Sequence, residues 1–163
     1  MYSTIIELSS SPVAESERAC SDELPDWFQG DVADYIGDAD DRTRFLQYFA
    51  QDMDDIADFD LGLDCLTLKT DAKEKYFQGS YRKYKETLEK LAQVPMEEFS
   101  GLSKASPDSE GLAALMYCLR STIEDRFGTY IYEDGELVTL DEWLRYASIG
   151  NVYYIGGVMS YHF

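Results

Sequence analysis

The sequence predicts an α+β fold, with three main helices packed with short antiparallel β-hairpins and a β-rich C-terminal part, in a single globular domain spanning residues 1–163. Three observations carry that prediction. Apolar residues recur at helical spacing through three long segments; the dipeptide Asp134-Gly135 stands between two β-favouring runs; and the chain ends in VYYIGGVMSYHF, rich in aromatic and β-branched residues. At 45% apolar residues the chain can bury a core, which sets it apart from disordered compositions.

Taken in order, Tyr2 to Leu8 reads as a short strand, because Ile5, Ile6 and Leu8 precede the turn-rich Ser9 to Pro12. From Val13 to Ile36 the pattern is weaker and is broken at Pro25 and Gly30, which predicts a loop with one or two short helices. Asp38 to Phe59 is predicted as a helix on the spacing of Phe45, Phe49, Met53 and Ile56. On that helix Asp40, Asp54, Asp55 and Asp58 fall on the side away from the apolar stripe, with Asp52 nearer its boundary. Leu61 to Lys69 alternates leucine with other residues and reads as a strand.

Asp71 to Val94 is the second long helix, carrying Phe77, Tyr81, Tyr84, Leu88 and Leu91, with Gly79 as a candidate kink. A loop around Phe99 to Pro107 follows, where Ser106 can cap and Pro107 can open a third helix. That helix is expected to turn Leu112, Leu115, Met116, Leu119 and Ile123 inward and to end near Gly128. Asp134-Gly135 suits a type I′ hairpin turn, in which both central residues take positive φ. Thr139-Leu140-Asp141-Glu142 is a capping box opening a short helix through Trp143 to Tyr146, and Gly156-Gly157 is a second hairpin candidate.

The charge narrows the function classes. Against 14 Lys and Arg stand 32 Asp and Glu, a net charge of -18, which repels nucleic acid and anionic lipid and favours a basic partner or a cation. Direct contact with DNA, RNA or a membrane is not expected, and no run of apolar residues is long enough to span a bilayer. The N-terminus lacks a signal-peptide pattern, so a cytoplasmic protein is expected. Cys20, Cys65 and Cys118 are odd in number and far apart, which suggests neither a disulfide framework nor a zinc site.

Catalytic and metal chemistry find little footing. EF-hand frames starting at Asp38 or Asp58 put Thr43 and Phe49, or Leu63 and Lys69, where the loop needs Gly and Glu. His162 is the single histidine and has no nucleophile or ligand pattern near it, and Gly150, Gly156 and Gly157 lack the lysine and helix of a phosphate loop. No catalytic residue, metal or cofactor is therefore expected. Lys75, Arg82, Lys83 and Lys85 alternate with Tyr76, Tyr81 and Tyr84, but this reads as a solvated basic side rather than a nucleic-acid platform, given the field of the whole molecule.

The acid is concentrated. Glu15 through Asp60 holds fifteen carboxylates against Arg18, Arg42 and Arg44, a balance of -12, whereas Cys65 to Pro95 has seven basic and four acidic residues, a balance of +3. An acidic surface that only aids solubility does not account for that concentration. The expected binding residues are Asp31, Asp34, Asp38, Asp40, Asp41, Asp52, Asp54, Asp55, Asp58 and Asp60, facing a strongly basic site. The commonest such sites hold nucleic acid, so the expected function is a non-catalytic inhibitor occupying the basic groove of a DNA- or RNA-handling enzyme, the strategy of antirestriction and anti-CRISPR proteins. No motif of any such family is present, and the analogy is physical. An immunity or regulatory protein that neutralises a basic partner without copying DNA is the alternative, and a small carboxylate-using enzyme is a further one. One helix cannot mimic DNA alone: about 27 Å from Asp40 to Asp58 would face roughly 16 phosphates. Mimicry needs Glu15 to Asp34 folded beside it.

Overall fold

The computed structural model describes residues 1–102 and 111–163 and has an α+β fold. The chain divides into two compact units, one formed by Met1–Lys75 with Asp125–Phe163 and the other by Tyr76–Glu124.

The first unit is built on a mostly antiparallel sheet. Its strands are β1 (Tyr2–Ser9), β2 (Tyr35–Asp38), β3 (Ala57–Asp60), β4 (Cys65–Leu68), β5 (Tyr130–Glu133), β6 (Glu136–Thr139) and β7 (Val152–His162). They lie in the order β3-β4-β7-β1-β5-β6, with β2 also paired to β7; among these pairings only β1 with β5 is parallel. β7 is the spine. Seven of its eleven residues are buried, as a central strand covered on both faces requires. The expected hairpin at Gly156-Gly157 is therefore absent, and both glycines lie inside this one strand.

The glycines serve close approach rather than a turn. Opposite Glu7 the β1–β7 register slips, with Ile6 facing Val158 and Leu8 facing Ile155, so that two residues of β7 oppose one of β1. A Cβ on Gly157 would lie 2.0 Å from the carbonyl oxygen of Ala19, and one on Gly156 would lie 2.0 Å from the Glu7 carboxylate. The Glu7 carboxylate accepts the Ala19 N–H at 2.7 Å and also the Gly157 N–H. A loop preceding the first helix is thereby fixed to the bulge.

One side of the sheet is covered by this loop, its 3₁₀ turns Glu15–Glu17 and Ser21–Glu23, and the single distorted turn α1 (Phe28–Asp31). Phe28 is fully buried, with ring centroids 4.8 Å from Tyr130 and 5.0 Å from Tyr161 in edge-to-face contact, a geometry that adds to the ~1.5–3 kcal/mol of burying such a ring. The Tyr161 hydroxyl donates to the Gly128 carbonyl at 2.6 Å, and burial pushes its pKa far above the usual phenol range. Helix α2 (Arg42–Asp52) packs against β7, and α6 (Leu140–Tyr146) against β5 and β6. The Thr139 hydroxyl caps α6 by accepting the Glu142 N–H, and Asp134 and Gly135 take positive φ of 52° and 84°, as the capping box and hairpin turn predict.

The segment predicted as one helix from Asp38 to Phe59 is divided among β2, α2, a turn and β3. Asp41 starts α2 by accepting the Arg44 N–H, and the ladder of β3 with β4 claims Ala57 to Asp60. Met53 and Ile56 are buried, as their spacing predicts, but they sit in the turn. The strand expected over Leu61 to Lys69 is likewise shorter, because Leu61 to Asp64 forms the β3–β4 turn.

Helix α3 (Ala72–Leu91) begins in the first unit and runs through the second without interruption at Gly79, where an added Cβ would meet nothing within 4 Å. The second unit also contains the short α4 (Met96–Phe99), which the sequence does not signal, and α5 (Leu112–Ser121). The Ser106 cap and Pro107 helix start lie outside the described residues. α5 ends before Gly128; it buries Leu115, whereas Met116 and Ile123, expected inward, are 51% and 47% exposed.

Gly157→Ala is expected to lower unfolding free energy by about 1–3 kcal/mol, since backbone rather than a flexible side chain blocks its Cβ. Gly79→Ala is expected to raise it by up to about 1 kcal/mol, through reduced unfolded-state freedom alone. Urea titration of both variants reads the opposite signs.

Candidate acidic interface

Beside β7 the sheet has a gap, and the acidic segments meet around it. β4 pairs with Val152–Tyr154 and β2 with Met159–His162 along one edge of β7, leaving the stretch between them without a strand neighbour. Unpaired backbone groups in a half-buried position are costly. Arg42, at the start of α2, fills the place of the missing strand: its Nε donates to the Gly156 carbonyl at 3.1 Å and its Nη2 to the Ile155 carbonyl at 3.0 Å. The Asp64 carbonyl accepts the Ile155 N–H at 2.7 Å, and the Val158 carbonyl accepts the Ala39 N–H at 3.0 Å.

Asp64, held at a positive φ of 48° where β4 begins, then receives two guanidinium groups. Arg42 Nη1 lies 2.9 Å from one carboxylate oxygen and Arg18 Nη2 3.1 Å from the other. All three side chains are about one quarter to one third exposed. This cluster joins the loop carrying Glu15 to Asp26, the N-terminus of α2 and the β3–β4 turn. Three acidic segments that repel one another are tied at a single point.

The ten expected binding aspartates are all exposed. Asp31 ends α1; its carbonyl accepts from Arg126. Asp34 precedes β2, with Oδ1 2.8 Å from Nδ1 of His162. Asp38 ends β2 and accepts the Ser21 N–H at 2.8 Å, which fixes the second 3₁₀ turn to the strand. Asp40 and Asp41 lie where the chain enters α2, and Asp52 is the last residue of that helix. Asp54 and Asp55 sit in the following turn, and Asp58 and Asp60 alternate along β3 at the sheet edge. Asp54, Asp55 and Asp58 thus do not share a helix face as predicted. Asp58 is 3.6 Å from the Lys69 ammonium, and Asp60 accepts the N–H groups of Gly62 and Leu63, closing the β3–β4 turn.

Glu15, Glu17, Asp22, Glu23 and Asp26 are exposed as well, so all fifteen carboxylates of this stretch face solvent. Of its three arginines, Arg18 and Arg42 turn to Asp64 and are partly buried, and only Arg44 is exposed. The sequence balance of 3 against 15 therefore understates the acidity of the surface. The two units also differ: the first holds 8 basic and 25 acidic residues, a charge of -17, and the second 6 and 7, a charge of -1. Arg18, Arg42 and Asp64 carry no spacing signal, and their joint role becomes visible only where the chain crosses itself.

Other chemistry is sparse. Among the described residues no group of three or more His, Cys, Asp or Glu side chains is placed to hold a metal ion, and no helix is long and apolar enough to cross a membrane. Burial first, then the Asp60 carboxylate, pushes the Cys65 thiol up, away from the thiolate that a nucleophile needs. No family model matches the chain, and no curated protein or solved structure matches it either.

Arg42→Met is expected to destabilise the fold by roughly 3 kcal/mol, because it leaves two strand carbonyls and one carboxylate oxygen without their donor. Chemical denaturation measures the loss. Hydrogen exchange should show it concentrated in residues 154–158.

Proposed function

We propose that the protein is a non-catalytic inhibitor that lays its acidic face into the basic groove of a DNA- or RNA-handling enzyme in the cytoplasm, as antirestriction and anti-CRISPR proteins do. The observation that carries this reading is the sorting of charge: fifteen carboxylates point outward along one stretch while Arg18 and Arg42 are turned inward. A coat serving solubility alone gains nothing from removing cations from one surface. A face that must enter a basic groove gains attraction and faster encounter.

Asp34 and Asp38 lie beside the C-terminal end of β7, whereas Asp52 ends α2 and Asp58 and Asp60 are on β3, two strands away from β7, so the exposed acid forms a broad patch rather than a single line. The five carboxylates between Glu15 and Asp26, anchored by Arg18 and Ser21, add a second group beside it. Displacement by duplex DNA separates this reading from that of a protein that only neutralises a basic partner: DNA displaces the captured partner from a mimic's site and leaves a neutraliser's partner in place.

In the variant D54N/D55N/D58N three charges go while shape is kept. Stability is expected to change by less than about 1 kcal/mol, since the contact of Asp58 with Lys69 is exposed. Capture of the partner from lysate, graded over a salt series, should weaken and lose part of its salt dependence. Undiminished capture by the folded variant removes this part of the patch from the interface.

A further inference from the structure

The two arginines on Asp64 are not equivalent. Arg42 donates through Nε, Nη1 and Nη2 to two strand carbonyls and the carboxylate, and without it the sheet edge stays open. Arg18 donates through Nη2 alone, and its Nε is buried with no hydrogen-bond partner among the described residues. A guanidinium left partly unsatisfied adds little stability of its own, because the desolvation of the orphaned N–H offsets much of the ion pair. Its position explains its presence. Arg18 stands between Glu15 and Glu17 on one side and Asp22 and Glu23 on the other, in a loop lying against Asp38, Asp64 and the Glu7 carboxylate. Without a cation there, an acidic loop would rest on an acidic edge.

We propose that Arg18 is a positioning residue for the acidic surface: its charge holds the loop Glu15–Glu23 against the strand edge, so that its carboxylates and those of Asp38 to Asp60 are presented as one preorganised face. The loop has two further attachments, the Ala19 N–H on Glu7 and the Ser21 N–H on Asp38, and both acceptors are themselves carboxylates. They fix the backbone locally and add negative charge beside it. Arg18 is the one cationic side chain between Glu15 and Asp26, and its ion pair with Asp64 sets a positive charge in the same loop. The consequence for binding rests on the proposed function: a face already assembled loses less ordering entropy when a polycation docks.

The test uses the full-length protein with Arg18→Gln and Arg18→Lys. The glutamine variant is more negative by one charge, so bulk attraction alone predicts tighter binding of a polyarginine peptide, whereas lost positioning predicts weaker binding. With no peptide present, amide exchange over residues 15–24 in Arg18→Gln should speed by about tenfold at low salt while the sheet amides keep their protection. High salt should restore protection by screening the repulsion, and Arg18→Lys should stay near wild type. Unchanged exchange in Arg18→Gln, or acceleration that salt leaves intact, overturns the positioning role whatever the peptide does. Faster exchange that salt reverses, with no peptide binding by the wild type, upholds the positioning role and defeats the inhibitor reading instead.

Discussion

Between Tyr154 and Met159 the central strand loses its neighbour on one side, and the guanidinium of Arg42 stands there in place of a peptide chain. The exchange has a physical logic. A strand in that gap would bring one more pleated segment with side chains on both faces, whereas Arg42 delivers two correctly spaced donors from the first residue of a helix. The price is a positive charge in a half-buried site, which Asp64 balances from the adjoining turn. Because that turn is also where β3 joins β4, and because Arg18 reaches the second oxygen of the same carboxylate, the gap closes the sheet and gathers the acidic segments in one step.

The opposite edge of β7 obeys a related constraint. The two-against-one bulge brings the Glu7 carboxylate over Gly156 and Gly157, and it accepts N–H groups from strand and loop together. A side chain at either glycine would exclude one of those partners. Each edge of the strand thus uses one side chain for two backbone groups, adjacent β7 carbonyls for Arg42 and N–H groups of separate segments for Glu7, and such charge-assisted hydrogen bonds are about twice as strong as neutral ones.

What the sequence disclosed follows from which interactions are local. The hairpin at Asp134-Gly135 and the cap at Thr139 are decided within four residues, and both stand as predicted. Met53 and Ile56 are buried as their spacing requires, yet the helix stops at Asp52, since four residues of β3 with one side in the sheet are too short to betray their period. Gly156-Gly157 misleads because two glycines read as a turn, while their actual cause, the approach of Glu7 and Ala19, lies about 140–150 residues away in the chain. The exposure of the ten aspartates was legible from their chemistry alone. The inward turn of Arg18 and Arg42 was not, because an arginine between acids reads as part of the same solvated surface until the fold supplies Asp64.

That inward turn bears on how a folded chain holds so much like charge in one region. Fifteen carboxylates crowded without counter-ions would favour an expanded loop and a loosened sheet edge, since self-repulsion falls when the chain opens. Surface lysines interleaved with the acids would relieve the repulsion, but they would also erase the field that a basic partner feels. Cations placed beneath the surface act differently on the two sides. Close to Asp64, in a partly dried site, their attraction is strong and weakly screened; seen from solvent at a Debye length or more, it merges into a net field that stays strongly negative. Stability and an acidic exterior are then compatible in the same few residues, and the sharpness of the compromise depends on burial: an Arg18 moved to the surface would weaken both the loop's attachment and the field above it.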